Sequence, residues 1–283
     1  MARRHEDPGS CVSFDLGWAL VAELLLLGGV AGFLAGLLGV GGGAMMVPFM
    51  TLVFSVRVVP EPYVVKMAIA TSLATVCFTS IASVRAHHRR GAVRWDLVGL
   101  MAPGIVAGGL VGAQVAKALT SNLLALVFAL FIGHSALQIF LDKKPVPTRR
   151  LPKRAGLIGV GGLVGLLATL VGAGGAFVSV PFMLACNVPI INAVGTSAAL
   201  GFPIALAGTA GYVIAGWSQP DMPAGTLGFV YLPALLTLAC ASVLTAPLGA
   251  RSAHRLPVRQ LKRVFAFLLF LMAGYMLYKA VQL

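Results

Sequence analysis

The chain has 283 residues, of which 59% are hydrophobic and only 10% are charged, and its mean hydropathy is +0.95. A soluble domain carries about 25% charged residues, so this composition excludes a sizeable soluble domain and predicts a polytopic membrane protein. The formal net charge of +13 does not indicate nucleic-acid binding, because 15 of the 21 Lys and Arg residues lie in three short segments, at 85–94, 142–154 and 251–263.

Ten apolar segments follow one another along the chain. They lie near 16–38, 43–57, 64–84, 97–117, 122–141, 155–171, 176–188, 191–216, 226–250 and 261–281. Several exceed the length of about 18 residues that is typical of a membrane span. Because their hydrophobicity is continuous rather than alternating, they predict an all-α fold. The polar, basic and Pro-rich linker 142–154 divides the chain into a first repeat, 1–141, and a second repeat, 155–283.

A glycine-rich motif occurs in both halves. Residues 32–50 read GFLAGLLGVGGGAMMVPFM, and residues 165–183 read GLLATLVGAGGAFVSVPFM. At a constant shift of 133, 11 of these 19 positions are identical. Each copy predicts an apolar helix that glycines interrupt, followed by a short helix that contains a proline. Paired interruptions at matching places in two halves are typical of the binding site of a transporter.

Loop charges predict how the two halves are oriented. The loop after the third segment, 85–94, contains four Arg residues, whereas its counterpart, 217–226, contains Asp221 and neither Lys nor Arg. The loop after the fourth segment, about 118–121, is uncharged, whereas its counterpart, 251–263, carries five cations. Since cations mark cytoplasmic loops, equivalent loops of the two halves are expected on opposite sides of the membrane.

The sequence therefore predicts inverted repeats of five crossings each. In this topology the loops 85–94, 142–154 and 251–263 are cytoplasmic and both termini lie outside. The short segments 43–57 and 176–188 leave an alternative open. If they re-enter the membrane instead of crossing it, each half has four spans and the halves are parallel.

The chain resembles the sulfite exporter TauE/SafE family of membrane proteins. The resemblance rests on GLLGVGGGAMMVPF at 36–49, on its second copy LVGAGGAFVSVPF at 170–182, and on Ala-Thr-Ser at 70–72 and Gly-Thr-Ser at 195–197. It covers nearly the whole chain. It implies a protein of the bacterial inner membrane that exports a small anion. The substrate that the resemblance favours is sulfite or an organosulfonate such as sulfoacetate. Another small organic anion remains an alternative.

An anion that crosses a bilayer needs hydrogen-bond donors in place of its hydration shell. Backbone N–H groups at helix N-termini are such donors, and glycines leave them uncovered. The predicted substrate-binding residues are the glycines of the two breaks and four hydroxyl residues that follow them: Gly39, Gly41, Gly42, Gly43, Gly172, Gly174, Gly175, Thr71, Ser72, Thr196 and Ser197. The alternative is structural: glycines also permit close helix packing, as predicted for Gly32, Gly36, Gly108 and Gly112, and hydroxyls also bond to backbone carbonyls.

Two ionisable residues inside the apolar segments are candidates for a charge or proton role. Lys66 either adds positive charge to an anion path or extends its ammonium group to the membrane interface. His134 either carries a proton or packs between helices.

The sequence predicts neither a cofactor nor a metal site. The four cysteines are scattered without a CxxC pair, and no GxxxxGKS or GxxxxGKT motif is present. A membrane-embedded enzyme would need a polar catalytic cluster, and no HExxH, paired-acid or Ser/His/Asp set occurs. A membrane scaffold or sensor would fit the hydrophobicity but would leave the duplicated breaks unexplained. The expected partners are a small anion and the lipid bilayer, with no nucleic acid.

Overall fold

The computed structural model describes residues 18–38, 43–56, 59–141, 151–220, 222–252 and 258–282. These residues form ten α-helices, a 3₁₀ turn and two short strands. The helices are α1 Trp18–Leu38, α2 Gly43–Val56, α3 Val64–Arg89, α4 Trp95–Ala118, α5 Ser121–Phe140, α6 Arg154–Val171, α7 Ala176–Ala185, α8 Ile190–Gly216, α9 Leu232–Ser252 and α10 Val258–Gln282. The 3₁₀ turn is Glu61–Tyr63, and the strands are β1 Thr226–Leu227 and β2 Val230–Tyr231.

Each predicted apolar segment corresponds to one of these helices, so the all-α prediction is confirmed. Two boundaries differ by more than three residues. Helix α3 continues to Arg89, so part of the predicted loop 85–94 is helical, and its last turn is basic, which complements the negative end of the helix dipole. The segment 226–250 begins as an antiparallel pair of strands rather than as a helix, because Gly228 adopts a φ of 58° and turns the chain.

Within the described residues, six helices are long and apolar enough to cross a membrane: α3, α4, α5, α6, α8 and α10. The remaining four described helices contain shorter apolar stretches. Because the bilayer offers no hydrogen bonds, helices that satisfy their own backbone groups are the expected way to cross it.

Helices α3 and α8, which are equivalent in the two repeats, run antiparallel. Where α3 begins and α8 ends, the Tyr63 hydroxyl donates to Oε1 of Gln219 at 3.2 Å. Where α3 ends and α8 begins, the backbone N–H of Arg94 donates to Oγ1 of Thr196 at 3.0 Å. We call these two ends of the molecule the Tyr63 end and the Arg94 end.

Helices α5 and α10, which are also equivalent, are antiparallel as well. Helix α5 begins at the Tyr63 end, where Oγ of Ser121 donates to the carbonyl of Pro62 at 2.8 Å. Helix α10 ends there, since Nζ of Lys279 lies 4.0 Å from Oε1 of Glu61. Equivalent helices that run in opposite directions define inverted repeats. The alternative of parallel halves is therefore wrong.

Helix α7 is a half-length helix that returns from the interior. A Cβ atom built on Gly175 would lie 3.3 Å from Val164 and 3.7 Å from Ala168, so the chain doubles back against α6. Oγ of Ser179 bonds to Oγ of Ser197, which places α7 along the first half of α8. With 10 residues, α7 is about 15 Å long, too short for a hydrocarbon core of about 30 Å. The prediction that every segment crosses the membrane does not hold for α7.

The two halves interlock through glycines. Helix α4 packs on α6, where Cβ atoms built on Gly108 and Gly112 would lie 2.0 and 2.9 Å from the carbonyls of Gly162 and Leu166. Helix α1 packs in the same way on α9, with Gly32 against Ser242. These are equivalent helix pairs of the two halves. The predicted packing role of Gly32, Gly108 and Gly112 is confirmed. The surroundings of Gly36 are not among those that the structure describes.

Candidate substrate site at the glycine breaks

The two glycine breaks meet inside the molecule. Gly43, the first residue of α2, is so close to the second break that a Cβ atom on it would lie 2.5 Å from the carbonyl oxygen of Gly172 and 3.4 Å from Cα of Ala173. Both glycines are buried. The structure thus brings together residues that are far apart in the sequence. Three other predicted glycines of the first break, Gly39, Gly41 and Gly42, lie outside the described residues.

Backbone conformation explains why glycines form the second break. Gly172 closes α6 with a φ of 70°, and Gly175 precedes α7 with a φ of 75°, both in the left-handed region that other residues rarely adopt. Between them, the carbonyl of Gly174 lies 3.6 Å from the Cβ position of Gly201 on α8. No side chain caps the N-terminus of α7. Its first N–H groups and the positive end of its dipole are therefore left to other partners.

Ser72 connects the two breaks. Its hydroxyl donates to the carbonyl of Gly43 at 3.0 Å and to the carbonyl of Gly172 at 3.3 Å, and the side chain is fully buried. One hydroxyl proton is therefore shared between the two breaks. In this conformation Ser72 holds the breaks together and has no proton left to donate to an anion.

Thr71 and Thr196 form equivalent hydrogen bonds in the two halves. Oγ1 of Thr71 accepts from the backbone N–H of Tyr231 at 3.1 Å, immediately before α9 begins. Oγ1 of Thr196 accepts from the backbone N–H of Arg94 at 3.0 Å, immediately before α4 begins. Each threonine thus satisfies a backbone donor of the other repeat. Both hydroxyls bond to these backbone groups rather than to the glycine breaks, so their predicted contact with substrate stays a prediction.

Ser197 pairs with a residue that the sequence analysis missed, Ser179 of α7. Their hydroxyls form one hydrogen bond of 2.8 Å, and both side chains are 1% exposed. Two hydroxyls carry two protons, and the pair uses one. The part of the chain that the structure describes contains no acceptor for the other proton. A buried hydroxyl donor therefore remains available beside the first turns of α7.

Thr169 is a second functional candidate that the sequence analysis missed. Its Oγ1 is fully buried and has no hydrogen-bond partner among the described residues. It lies 3.3 Å and 3.0 Å from the Cβ positions of Gly109 and Gly208. A buried hydroxyl without a partner costs about 1–3 kcal/mol. Residues Thr169 and Ser179 replace Gly36 and Met46 of the first copy, so a comparison of the two copies contained the signal.

The two ionisable candidates lie apart from each other. Nζ of Lys66 donates to the carbonyl of Lys117 at 2.9 Å, at the Tyr63 end. His134 is exposed on α5, and its Nε2 lies 2.9 Å from Nε2 of Gln138. A proton role for His134 stays a prediction.

Replacing Thr71 or Thr196 by valine is expected to lower stability without changing substrate affinity. Valine keeps the shape of threonine but leaves the N–H of Tyr231 or Arg94 without its acceptor, at a cost of about 1–3 kcal/mol. The measurement is the melting temperature of the purified protein, together with the KM for transport. Thr237→Val is the control, because that hydroxyl bonds within its own helix. A raised KM at unchanged stability would show instead that these hydroxyls contact the substrate.

Two inverted halves, with broken helices that meet in the interior, define a multi-pass membrane protein of the transporter class. Residues 24–276 match the family described as sulfite exporter TauE/SafE. The chain belongs to this family.

Known relatives agree with this assignment. The chain is 36% identical to a probable membrane transporter protein of Haemophilus influenzae, over 90% of this chain and 97% of that protein. It is 26% identical to one of Methanocaldococcus jannaschii, over 91% and 96% of the two chains, and 27% identical to one of Bacillus subtilis, over 91% and 98%. No solved structure matches the chain.

Proposed function

We propose that this protein is a secondary transporter that exports a small anion, sulfite or an organosulfonate such as sulfoacetate, across the bacterial inner membrane. The observation that carries the proposal is the meeting of the two breaks at Gly43 and Gly172. Helix α2 begins at this meeting and α7 begins four residues after Gly172, and helix N-termini carry N–H donors without a full positive charge, which suits an anion that has to be released again.

The second break is the proposed anion-binding half of the site. The uncapped N-terminus of α7 contributes backbone N–H groups and a partial positive charge, and the Ser179–Ser197 pair contributes a spare hydroxyl. Only glycine fits at position 175, because an added Cβ atom would lie 2.4 Å from Cδ1 of Ile204. In the first break, Ser72 bonds to backbone carbonyls instead. Transport requires the contact between the breaks to open, so Ser72 becomes a donor only in another conformation.

The Arg94 end is the proposed cytoplasmic side. Arg89, Arg90 and Arg94 lie there, and the positive-inside bias assigns such ends to the cytoplasm. The basic segments 142–154 and 251–263 are assigned to the same side. Export of an anion from a negative interior is favoured by about 2.3 kcal/mol per charge per 100 mV, so uniport needs no further energy source.

The proposal is tested by anion flux from proteoliposomes that contain the purified protein at a set membrane potential. Sulfite, sulfoacetate, thiosulfate, sulfate and acetate are compared one by one. We expect saturable flux of a sulfur oxyanion. Absence of flux for all five, with or without a proton gradient, from protein shown to be folded would contradict the proposal and favour a scaffold or sensor.

Replacing Ser197 by alanine is expected to raise the KM for the transported anion by about tenfold or more, because a hydrogen bond to a charged ligand is lost. The measurement is the concentration dependence of flux. Ser135→Ala is the matched control, since Ser135 is also buried but bonds to the Phe131 carbonyl on its own helix. An equal KM in both variants would remove the serine pair from the site.

A further inference from the structure

Lys66 is a buried cation that has no acidic partner in the part of the chain that the structure describes. Its side chain lies in the first turn of α3 and the residue is 8% exposed. The ammonium group has three donors, and one of them bonds to the carbonyl of Lys117 at 2.9 Å. Within the described residues no carboxylate pairs with Lys66. An ammonium group that is removed from water without a counter-charge is costly, so an anion at this place would stabilise it.

Neighbouring charges make the absence of an anion more costly. Lys117, whose carbonyl accepts the bond from Lys66, carries a second positive charge at the same end of the molecule. The carboxylate of Glu61 does not neutralise this charge, because it faces Nζ of Lys279 at 4.0 Å and is largely exposed. The N-terminus of α3 adds the positive end of its dipole. The C-terminus of α4 compensates in part, because Lys66 bonds to one of its carbonyls.

We propose that Lys66 and Lys117 form an oxyanion-binding station at the Tyr63 end, separate from the glycine breaks. Lys66 precedes Ser72 by six residues, about 9 Å along α3, so the station lies between the site where the breaks meet and this end of the molecule. The oxyanion is a free sulfur oxyanion or the phosphate of an anionic lipid. This inference deepens the proposed function and rests on it in one respect: the station lies on the release side if the Arg94 end is cytoplasmic. The binding of an anion at the station does not depend on transport.

Anion-dependent melting temperatures test the station. Binding to the folded state alone raises the melting temperature by mass action. Protein in a neutral detergent is titrated with sodium sulfate, against sodium chloride at equal ionic strength. We expect stabilisation by sulfate in the unaltered protein and an apparent Kd at least about tenfold weaker in Lys66→Met. Lys66→Arg is expected to retain binding because it keeps the charge.

Lys279→Met is the matched control, since Lys279 lies at the same end but faces Glu61. It removes one cation and is expected to leave the sulfate response unchanged. If Lys66 only caps α4, Lys66→Met lowers the melting temperature without salt and keeps the sulfate response. That result would overturn the proposal. The proposal would also be overturned if the unaltered protein responded neither to sulfate nor to anionic lipid.

A second arm separates the two sources of the oxyanion. The protein is placed in bilayers of phosphatidylcholine alone or with phosphatidylglycerol, and the same variants are compared. Stabilisation by phosphatidylglycerol that depends on Lys66 would support the station and identify a lipid phosphate as its occupant. A Lys66-dependent response in protein that transports none of the five anions would leave the station standing while contradicting the proposed function.

Discussion

Replacing Gly104 by alanine is expected to prevent α4 from packing on α6. The added Cβ atom would lie 1.9 Å from the carbonyl oxygen of Ile158 and 2.8 Å from the backbone nitrogen of Gly162. Both obstacles are backbone atoms, so no rotamer change can relieve the clash. The helices would have to separate by about 1.5 Å or more to restore ordinary contact distances. Because the α4–α6 interface joins the two repeats, the whole fold depends on it.

Overpacking of a core costs about 1–3 kcal/mol and sometimes more, and a backbone clash belongs to the upper part of that range. The measurement is the yield of monodisperse protein and its melting temperature. Gly99→Ala is the control on the same helix, where an added Cβ meets nothing within 4 Å. Alanine there gains helix propensity, so Gly99→Ala is expected to be neutral or stabilising. Equal melting temperatures for the two variants would contradict the proposed tight contact.

Replacing Gly43 by alanine is expected to lower flux by about 100-fold in protein that still folds, as a displacement of about 1 Å does for other precisely positioned sites. The added Cβ atom would lie 2.5 Å from the carbonyl oxygen of Gly172 and 3.0 Å from Cγ2 of Val76. It would push the breaks apart and would cover the N-terminus of α2. The measurement is efflux of the transported anion from proteoliposomes.

Gly159→Ala is the control for this variant, because an added Cβ on Gly159 meets nothing within 4 Å. It should retain flux. Ser72→Ala is the second test, since it loosens the same contact without adding volume. Full flux in both Gly43→Ala and Ser72→Ala would show that the meeting of the breaks is not needed for transport.

Much of the fold could be predicted because the membrane limits the alternatives. A long apolar segment must be a helix, since the bilayer leaves backbone groups no other partner. The loop charges predicted inverted halves, and the directions of α3 and α8 agree with this. The boundary at Arg89 was missed because its helix extends beyond the apolar stretch into basic residues. The segment that contains α7 was recognised as short, but its path stayed open, because hydrophobicity alone does not distinguish a helix that crosses from one that returns.

The roles of the four predicted hydroxyls could not be separated by sequence. Thr71 and Ser72 are neighbours in the chain, yet one accepts from a backbone N–H 160 residues away and the other donates to carbonyls of both breaks. Ser197 pairs with Ser179 on another helix. Each role depends on a partner that is distant in the sequence and is brought close by folding.

The sequence by itself determined the helical class, the duplicated glycine motif and the family, because these depend on local composition and on spacing along one chain. Only the tertiary structure decided which donors remain available. It placed Gly43 against Gly172, left one proton of the Ser179–Ser197 pair without an acceptor among the described residues, and buried Lys66 beside Lys117. The reason is physical: whether a donor is free depends on which acceptors lie within about 3 Å of it, and packing between the two halves determines that.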